Sequence, residues 1–379
     1  MSPVLPVTVV TSVDPLPRDL ATAAVLVDGP GAVVLRYDLG PGAADGLRRV
    51  VSDLSGVLED VVVPLEHACL GCAQREDVLP TVAAIAADGR WSSLVLALPV
   101  GADPTPLVAA LCAGEEVAGA VVVRGVVTAA CAADLSEDLL GDALLSERGL
   151  ALDEDDDRAV GEALAQQLDE ADLVVLDGEP DERTRTLLAH LCGPSVPVLP
   201  LERVGGAQLA APLGGAARTA ARADLLTARR PPVPDTSGVW TLELTSERTL
   251  HPGRLLERIE DLGAGRLRAR GTFRLTSRPS TLCAWDGAGG QLSIGELGAW
   301  HPGERGTHLV VTGTEPDERE RVRSAFCDVL ATREEEAAAH EEVLDALLAG
   351  SGAPGGEDGF EPWLGPRDQH VPDDRLVVE

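Results

Sequence analysis

Residues 94–98 read Leu94-Val95-Leu96-Ala97-Leu98, a short, uncharged and continuously apolar run. Strands buried on both faces of a parallel sheet have this character, because both sets of alternating side chains meet apolar neighbours. A helix-like segment, Thr105 to Cys112, follows after a short loop. Together they make one strand and helix unit of the kind that builds a parallel sheet covered by helices.

The same alternation extends in both directions, from the start of the chain to about residue 200. Short apolar runs rich in β-branched residues predict further strands at Val7 to Val10, Val33 to Arg36, Val61 to Val63, Val121 to Thr128, Leu173 to Leu176 and Val196 to Leu199. Helical spacing is found between them at Asp45 to Leu58, Val78 to Asp88, Arg158 to Ala171 and Glu182 to Leu191. We therefore predict an α/β fold with a doubly wound, mostly parallel sheet.

Changes in composition divide the rest of the chain. Residues 216–238 are rich in Ala, Arg and Pro, which predicts a surface helix followed by a stiff linker. We therefore predict an α/β domain over residues 1–215, this linker, and a smaller α+β domain with an antiparallel sheet over residues 239–349. Residues 350–379 are rich in Gly, Pro and acidic residues, and we expect a loose acidic tail there.

In the second domain, strands are predicted at Trp240 to Leu244, Arg266 to Thr276, Thr281 to Trp285 and Thr307 to Thr312, and helices at Pro252 to Asp261 and Glu315 to Leu348.

The charge and composition exclude several classes of function. The chain has 31 basic and 62 acidic residues, a formal net charge of −31, which disfavours nucleic acid and anionic membranes as partners. No apolar stretch has the roughly 18 residues needed to span a bilayer, and charges interrupt the first twenty residues, so we expect a cytoplasmic protein. The sequence contains no lysine, which excludes lysine-dependent catalysis.

Cysteine spacing gives the clearest chemical candidate. Cys69 and Cys72 form a C-x-x-C pair, with Glu66 and His67 just before it. Two thiolates at this spacing can bind one soft metal ion, and a nearby carboxylate or imidazole can complete a tetrahedral set. Thioredoxin-like redox pairs have the same spacing, and so can two loop cysteines with neither role. From the residues alone, all three interpretations remain open.

The segment around this pair resembles a known one. Glu66 to Asp77 is similar to the metal-binding segment of the CobW family of metal-chaperone GTPases, which has an acidic residue, a C-x-C-C motif and a Thr-Leu-Arg-Glu-Asp-like run. Gly71 stands at the middle cysteine of that motif, so one thiolate ligand is missing. Further resemblance lies in Leu152 to Leu176, which is similar to the segment leading into the guanine-specificity strand, and in His251 to Leu255, Gly265 to Gly271, Phe273 and Arg278-Pro279, which are similar to the family's C-terminal domain.

This resemblance implies a P-loop GTPase-like sheet followed by a CobW C-terminal domain. It also implies a role in handling a transition metal, with zinc (Zn²⁺) as the expected ion. Cys69 and Cys72 would then be thiolate ligands, and Glu66 or His67 would be the third ligand.

The family's nucleotide motifs are not retained at the aligned positions. Thr11 to Asp19 reads T-S-V-D-P-L-P-R-D where a glycine-rich loop ending in Lys and a hydroxyl residue should stand. Proline supplies no N–H group and cannot adopt a positive φ, while Asp14 and Asp19 would repel phosphate. Ala97 to Val100 replaces an Glu-Thr-Ser-Gly run, and Asp177 to Pro180 replaces the Asn-Lys-x-Asp that reads guanine. We therefore expect no GTP hydrolysis and assign no catalytic residue.

Two functional hypotheses follow. The first is a CobW-like zinc chaperone or metal-homeostasis protein that has lost GTP hydrolysis and acts on a client metalloprotein or with a CobW-type paralogue. The second is a pseudo-GTPase interaction module that binds such a paralogue or client without handling metal. The glycine at position 71, in place of a cysteine, favours this second hypothesis. A working GTPase with unconventional phosphate contacts would require stabilisation by nucleotide, which we do not expect.

Four other groups have a simpler interpretation. Asp153 to Asp157 could bind a hard cation, but acidic residues before a helix are typical of a solvated cap. Glu334 to Glu336 with His340 and Glu341 is interpreted as an exposed charged helix face, and His251 before Pro252 as a structural helix start. The five cysteines outside the pair are expected to be small buried hydrophobes.

Overall fold

The protein is described by a computed structural model over residues 4–39, 46–64, 74–114, 117, 119–152, 155–209, 224–301, 306–348 and 356–367. The chain divides into two compact units. The first comprises Met1–Ala223 with Pro231–Val233, and the second comprises Asp224–Arg230 with Pro234–Glu379. The division falls within the stretch 216–238 that is rich in Ala, Arg and Pro.

In the described part of the first unit, eight strands form one sheet in the order β4-β3-β2-β5-β1-β6-β7-β8. Their bounds are β1 Leu5–Thr11, β2 Ala32–Leu39, β3 Leu47–Asp53, β4 Gly56–Val63, β5 Ser93–Ala97, β6 Val121–Cys131, β7 Leu173–Asp177 and β8 Val198–Pro200. All neighbouring pairs are parallel except β2 with β3 and β3 with β4. The predicted mostly parallel sheet is confirmed.

Helices cover both faces of this sheet. They are α1 Pro15–Asp28, α2 Leu79–Asp88, α3 Thr105–Ala113, α4 Leu135–Leu140, α5 Val160–Glu170, α6 Glu182–Cys192 and α7 Gly206–Leu209. Val9 and Val10 are adjacent in β1 and point to opposite faces, and both are fully buried. Val9 belongs to the core that contains Val82 of α2, whereas Val10 belongs to the core that contains Val25 of α1. The doubly wound architecture is therefore confirmed.

The predicted helix at Asp45 to Leu58 is wrong within the described residues, where the chain forms the antiparallel hairpin of β3 and β4. A local turn overrides the helical spacing of its apolar residues. The Asp53 carboxylate accepts hydrogen bonds from the Ser55 backbone N–H at 2.8 Å and from its hydroxyl at 2.6 Å. Gly56 adopts φ +125°, which favours glycine, and Arg48 pairs across the hairpin with Asp60 at 2.7 Å.

The second unit is an α+β structure, as predicted. Its described strands, β9 Trp240–Ser246, β10 Leu267–Leu275, β11 Arg278–Ala288, β12 Gln291–Ala299 and β13 Thr307–Gly313, form an antiparallel sheet in the order β12-β11-β10-β13-β9. Its helices are α8 Pro252–Gly263, α9 Pro316–Val329, α10 Arg333–Leu348 and α11 Glu361–Leu364. Phe273 and Trp285 are fully buried and meet edge to face, with ring centroids 5.8 Å apart. The segment predicted as one helix, Glu315 to Leu348, is two helices separated at Leu330, which is extended.

Residues 356–367 pack against this second core, which differs from the loose tail expected over residues 350–379. Phe360 is fully buried in the core. Asp358 pairs with Arg278 through bonds of 2.8 and 3.0 Å, and both side chains are 2% exposed. An aromatic anchor and a buried ion pair, neither of which composition reveals, hold this segment in place.

The longest described helix, α10, has 16 residues. Within the described ranges, no helix combines the length and apolar character needed to cross a bilayer.

Candidate functional site

The connection between β1 and α1 lies at the carboxyl edge of the parallel sheet, where ligands of open α/β sheets bind. Only Ser12, Val13 and Asp14 separate the strand from the helix. The Asp14 side chain caps the helix by accepting the Leu16 N–H at 2.8 Å. Pro15 and Pro17 have no N–H group, so the first three residues of α1 offer one donor and Asp14 already accepts it.

The backbone of this turn is held by other parts of the same edge. The Ser12 carbonyl accepts hydrogen bonds from the Gly101 N–H at 2.9 Å and from Gln167 Nε2 at 3.2 Å. Gln167 Nε2 also donates to the Ala102 carbonyl at 3.0 Å, and Gln167 is fully buried. The turn is therefore a compact, internally bonded connection, whereas a phosphate loop needs several backbone N–H groups directed at its ligand.

A buried arginine lies beside this turn. Arg18 of α1 is 2% exposed, and its Nη2 is 2.7 Å from the Asp38 carboxylate at the end of β2. Its Nη1 donates to the Leu98 carbonyl at 3.1 Å, just beyond β5. Asp19 pairs with Arg18 at 3.1 Å and with Arg36 at 3.3 Å. Asp19, expected to repel phosphate, therefore belongs to an ion-pair network that joins α1 to the ends of β2 and β5.

The loop after β7 caps a helix. The Asp181 carboxylate accepts the Thr184 N–H at 2.7 Å at the start of α6, and this bond lowers the pKa of Asp181. Glu179 pairs with Arg185 at 3.7 Å. Pro180 stands at the position aligned with the guanine-reading aspartate and has no carboxylate. The residues present serve helix capping and surface ion pairing.

The four predicted metal ligands, Glu66, His67, Cys69 and Cys72, lie outside the described residues. The structure describes what comes before and after them. Strand β4 ends at Val63, and the chain resumes in a π-helical turn, Gln74–Val78, that leads into α2.

The turn after the cysteine pair is anchored through Asp77, whose side chain is 8% exposed. The Tyr37 hydroxyl donates to Asp77 Oδ1 at 2.7 Å, and Arg49 Nη1 donates to Asp77 Oδ2. Burial, together with the hydrogen bond and the charge of Asp77, raises the pKa of Tyr37 well above its usual value. Tyr37 therefore stays a neutral hydrogen-bond donor, and the carboxylate is held from two sides.

Arg49 also links this turn to the hairpin. Its Nη2 and Nε bond the Glu59 carboxylate of β4 at 2.6 and 2.9 Å, and its Nη1 donates to the Thr81 hydroxyl at 3.0 Å. One guanidinium on β3 thus contacts the strand that precedes the cysteine segment and the turn that follows it. Planar, bidentate arginine is suited to such a junction, because its donors are fixed relative to one another.

Asp156, Glu335 and Glu336, members of the remaining candidate groups, have structural partners. Asp156 forms a bidentate pair with Arg158 at 2.8 and 3.0 Å. Glu335 pairs with Arg254 at 2.8 Å, which lowers the pKa of Glu335 to about 2, and Glu336 accepts hydrogen bonds from Thr249 at 2.8 and 2.9 Å. These two glutamates link α10 to Arg254 and Thr249, so they do not belong to a purely exposed helix face as expected.

His251 caps α8 by accepting the Arg254 N–H at 3.3 Å, in agreement with a structural helix start. Among the five other cysteines, Cys192 and Cys283 are buried as expected, but Cys131 is only partly buried and Cys112 and Cys327 are exposed. No three His, Cys, Asp or Glu side chains converge as a metal site within the part of the chain that is described.

Sequence reasoning missed the roles of Arg18, Tyr37 and Arg49. Arg18 did carry a signal, because a cation close to a helix N-terminus opposes the helix dipole and needs a specific anionic partner. Tyr37 is the only tyrosine of the chain, which also marks it. Nothing local to Arg49 indicates that Asp77 lies beside it.

Comparison with known proteins identifies relatives and similar structures. The chain is 27% identical over 276 residues to the Mycobacterium tuberculosis protein named Zinc chaperone Rv0106, and equally to the Uncharacterized protein Mb0109 of Mycobacterium bovis. Each alignment covers 67% of this chain and 65% of the relative, so the chain spans less than two thirds of the relatives' length. The Zn(II)-bound YjiA GTPase from E. coli is 13% identical with a TM-score of 0.37, and its Zn(II)-bound triple mutant is 14% identical with a TM-score of 0.36. Each of these two structural alignments covers 87% of this chain and 100% of the solved chain.

Two family models match the sequence. The CobW/HypB/UreG nucleotide-binding domain matches residues 45–179, a stretch that begins after the β1–α1 turn. The cobalamin synthesis protein cobW C-terminal domain matches residues 239–330, most of the second unit. The two stretches together cover more than half of the chain. The chain therefore belongs to the CobW family.

Proposed function

We propose that this chain is a zinc-handling protein of the CobW family that works without GTP hydrolysis. Zinc is its cargo. Cys69 and Cys72 supply two thiolate ligands, and Glu66 or His67 supplies a third. The ion would pass to a client metalloprotein or to a CobW-type paralogue, in the cytoplasm, where thiols stay reduced.

The structure of the β1–α1 turn is the main support for the proposed absence of GTP hydrolysis. A phosphate cradle requires several free N–H groups, and here Pro15, Pro17 and the Asp14 cap leave none in the first three residues of α1. Arg18, in the first turn of α1 after this connection, is neutralised by Asp38 and Asp19. A nucleotide would have to break these contacts and accept two carboxylates close to its phosphates.

The donor set supports zinc. Two thiolates with a carboxylate or imidazole nearby match the preference of Zn²⁺ for sulfur and nitrogen, with an oxygen ligand tolerated. A relative at 27% identity carries the name zinc chaperone. Arg49 pairs with Asp77 in the turn after the cysteine pair and with Glu59 of β4 before it, which limits how far the two ends of the segment can separate.

Without hydrolysis, release cannot be driven by a nucleotide cycle. Transfer then depends on the difference in zinc affinity between this chain and its client. With Gly71 in place of a third cysteine, the site has one thiolate fewer than the family's C-x-C-C motif. Weaker retention of zinc would favour transfer to a client with more ligands.

Metal analysis by mass spectrometry tests the zinc site. Dialysed wild-type protein should retain about one zinc ion per chain after loading, and the Cys69→Ser, Cys72→Ser double variant should retain none. A Cys112→Ser, Cys327→Ser double variant is the matched control, because both thiols are exposed and lie outside the segment. Equal zinc in all three proteins, or none in any, would contradict the proposal.

The alternative, an interaction module that handles no metal, is favoured by the missing cysteine at Gly71. A Gly71→Cys variant separates the two. If the segment binds zinc, a third thiolate should strengthen binding at least ten-fold in a chelator competition. If wild type and variant both fail to bind, the interaction module is the better account.

Thermal unfolding with and without GTP and Mg²⁺ tests the nucleotide part. We expect no change in Tm, because a bound ligand stabilises only the state that binds it. A rise in Tm that grows with GTP concentration would refute the proposal that the chain works without GTP.

A further inference from the structure

A pocket in the second unit lies where the ends of β9, β10 and β12 meet the start of β13. Its volume is about 560 Å³, and its lining includes Arg274, Trp300, Gly306, His308 and Glu247. All of its lining residues belong to the second unit, whereas the β1–α1 turn belongs to the first. The roles assigned above leave it unexplained.

Arg274 of β10 is the main charged group in this pocket. Its guanidinium carbon lies 3.9 Å from the centre of the Trp300 ring, so the planar group is stacked and fixed in orientation. Its hydrogen bonds are long and go to neutral acceptors, the Pro279 carbonyl at 3.4 Å and the Glu247 carbonyl at 3.3 Å. Among the described residues, no carboxylate forms an ion pair with Arg274. Burial lowers the pKa of Arg274, and the more distant charge of Glu336 opposes this shift only in part. In a chain with twice as many acidic as basic residues, a partly buried guanidinium without a carboxylate is a departure that needs an explanation.

Two buried donors of the pocket residues are unsatisfied. Arg274 Nε and Trp300 Nε1 are both removed from solvent and have no hydrogen-bond partner in the described structure. Leaving a buried donor unpaired is costly, and the missing partner of two N–H groups and a cation is an anionic acceptor.

The pocket is kept open beside these donors by a glycine. A Cβ atom on Gly306 would lie 3.3 Å from Arg274 Nε and 3.4 Å from its Nη2, and would crowd the edge of the guanidinium. His308 does not compete for that edge, because its Nε2 lies 2.8 Å from the Glu243 carboxylate.

We propose that this pocket binds a carboxylate group, held by Arg274 and by the indole N–H of Trp300. A planar carboxylate matches the planar donors of a stacked guanidinium. A single negative charge is also preferred to the double charge of a phosphate ester, because Glu247, an exposed acidic residue, is among the residues that line the pocket. The volume admits a small organic acid. The side chain of an acidic peptide offers the same chemistry, and the experiment separates the two sources.

The test follows the indole N–H resonances of the protein by nuclear magnetic resonance. The chain has five tryptophans, so five indole signals are expected, and a Trp300→Phe variant assigns the relevant one. Succinate and a blocked Asp-Gly hexapeptide are titrated separately at constant ionic strength, with chloride as the reference salt. We expect succinate to shift the Trp300 signal saturably while the other four stay in place.

Variants decide the assignment. Arg274→Gln should weaken succinate binding at least ten-fold, and Gly306→Val should do so with the arginine still present. Arg323→Gln, on an exposed arginine that pairs with Glu320, is the matched control and should bind as wild type does. The spectrum of each variant also reports whether it is folded.

Several results would overturn the proposal. These are no saturable shift with either carboxylate probe, an equal shift in Arg274→Gln, or an equal shift with chloride. Inorganic phosphate binding more tightly than succinate would also overturn it. Saturation by the hexapeptide at a lower concentration than succinate would retain the carboxylate site but identify an acidic segment of a partner as its source.

Discussion

The contact between Asp77, Tyr37 and Arg49 allows a quantitative prediction. Removing one partner of a buried ion pair typically costs about 3–5 kcal/mol. Arg49 is 20% exposed and keeps Glu59 as a partner, so we expect Asp77→Asn to lower the unfolding free energy of the first unit by about 3 kcal/mol, the lower end of that range. A hydrogen bond to a charged group contributes about 1.5–3 kcal/mol, so Tyr37→Phe should cost about 1.5 kcal/mol.

Urea unfolding followed by circular dichroism measures these losses. Hydrogen exchange of residues 74–88 then shows whether the loss is local to the turn and α2. Asp60→Asn is the matched control, because Asp60 pairs with Arg48 on the same hairpin but both side chains are largely exposed, and it should change little. The double variant Tyr37→Phe, Asp77→Asn should lose less than the sum of the single losses, since both remove the same contact.

The same variants test a link to zinc. Groups that position a metal-binding segment usually alter affinity on the order of ten-fold when removed. We expect Asp77→Asn to weaken zinc binding by that factor and Asp60→Asn to leave it unchanged. If Asp77→Asn is no less stable than Asp60→Asn, the turn is not anchored as described and the reasoning fails. If stability falls but zinc affinity does not, the anchor serves the fold alone.

Three further predictions concern other contacts. Burial acts to raise the pKa of Asp358, but hydrogen bonds from Arg278 hold this pKa well below its usual value. The ion pair therefore contributes to the unfolding free energy above about pH 4, and this contribution is lost as the pH falls further. Asp358→Asn should therefore cost about 3 kcal/mol near neutral pH, measured by tryptophan fluorescence in urea, and an equal loss at every pH would contradict this. Because the pKa of Tyr37 is raised in the folded protein, we expect no tyrosinate absorbance from the folded protein at about pH 11. The unfolding free energy should fall as the pH rises above about 10, where Tyr37 of the unfolded chain loses its proton. Tyr37→Phe should remove this part of the loss at alkaline pH. Gln167→Leu should destabilise the first unit by about 1–3 kcal/mol, because the Ser12 carbonyl loses a buried donor, and should create no GTP binding; a variant as stable as wild type would show that this bond is dispensable.

Much of the fold could be predicted from local patterns. Runs such as Leu94 to Leu98 are apolar on both faces, which leaves few alternatives to a buried parallel strand. The β3–β4 hairpin could not be predicted in this way, because Val50 and Val51 fit a helical spacing as well as a strand, and the deciding contacts of Arg48 and Arg49 come from the opposite strand. Turn chemistry at Asp53 to Gly56 was the available signal.

The same distinction between local patterns and long-range contacts applies to the candidate site. The short β1–α1 turn with few free N–H groups could be expected from the prolines and aspartates in one run, since the missing proline N–H and the aspartate charge do not depend on the rest of the fold. The loss of GTP hydrolysis stays a prediction. Asp38 and Asp77 could not be assigned, because each acquires its role only when the fold brings Arg18 of α1 or Arg49 of β3 beside it. The ligand set at Cys69 and Cys72 stays a prediction.

The ion pairs of both units share a feature with consequences for regulation. Their side-chain cations are arginine or histidine, because the sequence has no lysine. A guanidinium keeps its proton far above physiological pH, and acetylation, the common cellular means of neutralising a side-chain cation, acts on lysine amines. The positive partners of Asp38, Asp77 and Asp358 are therefore permanent charges, and a change of pH can remove a charge from these pairs only at the carboxylate.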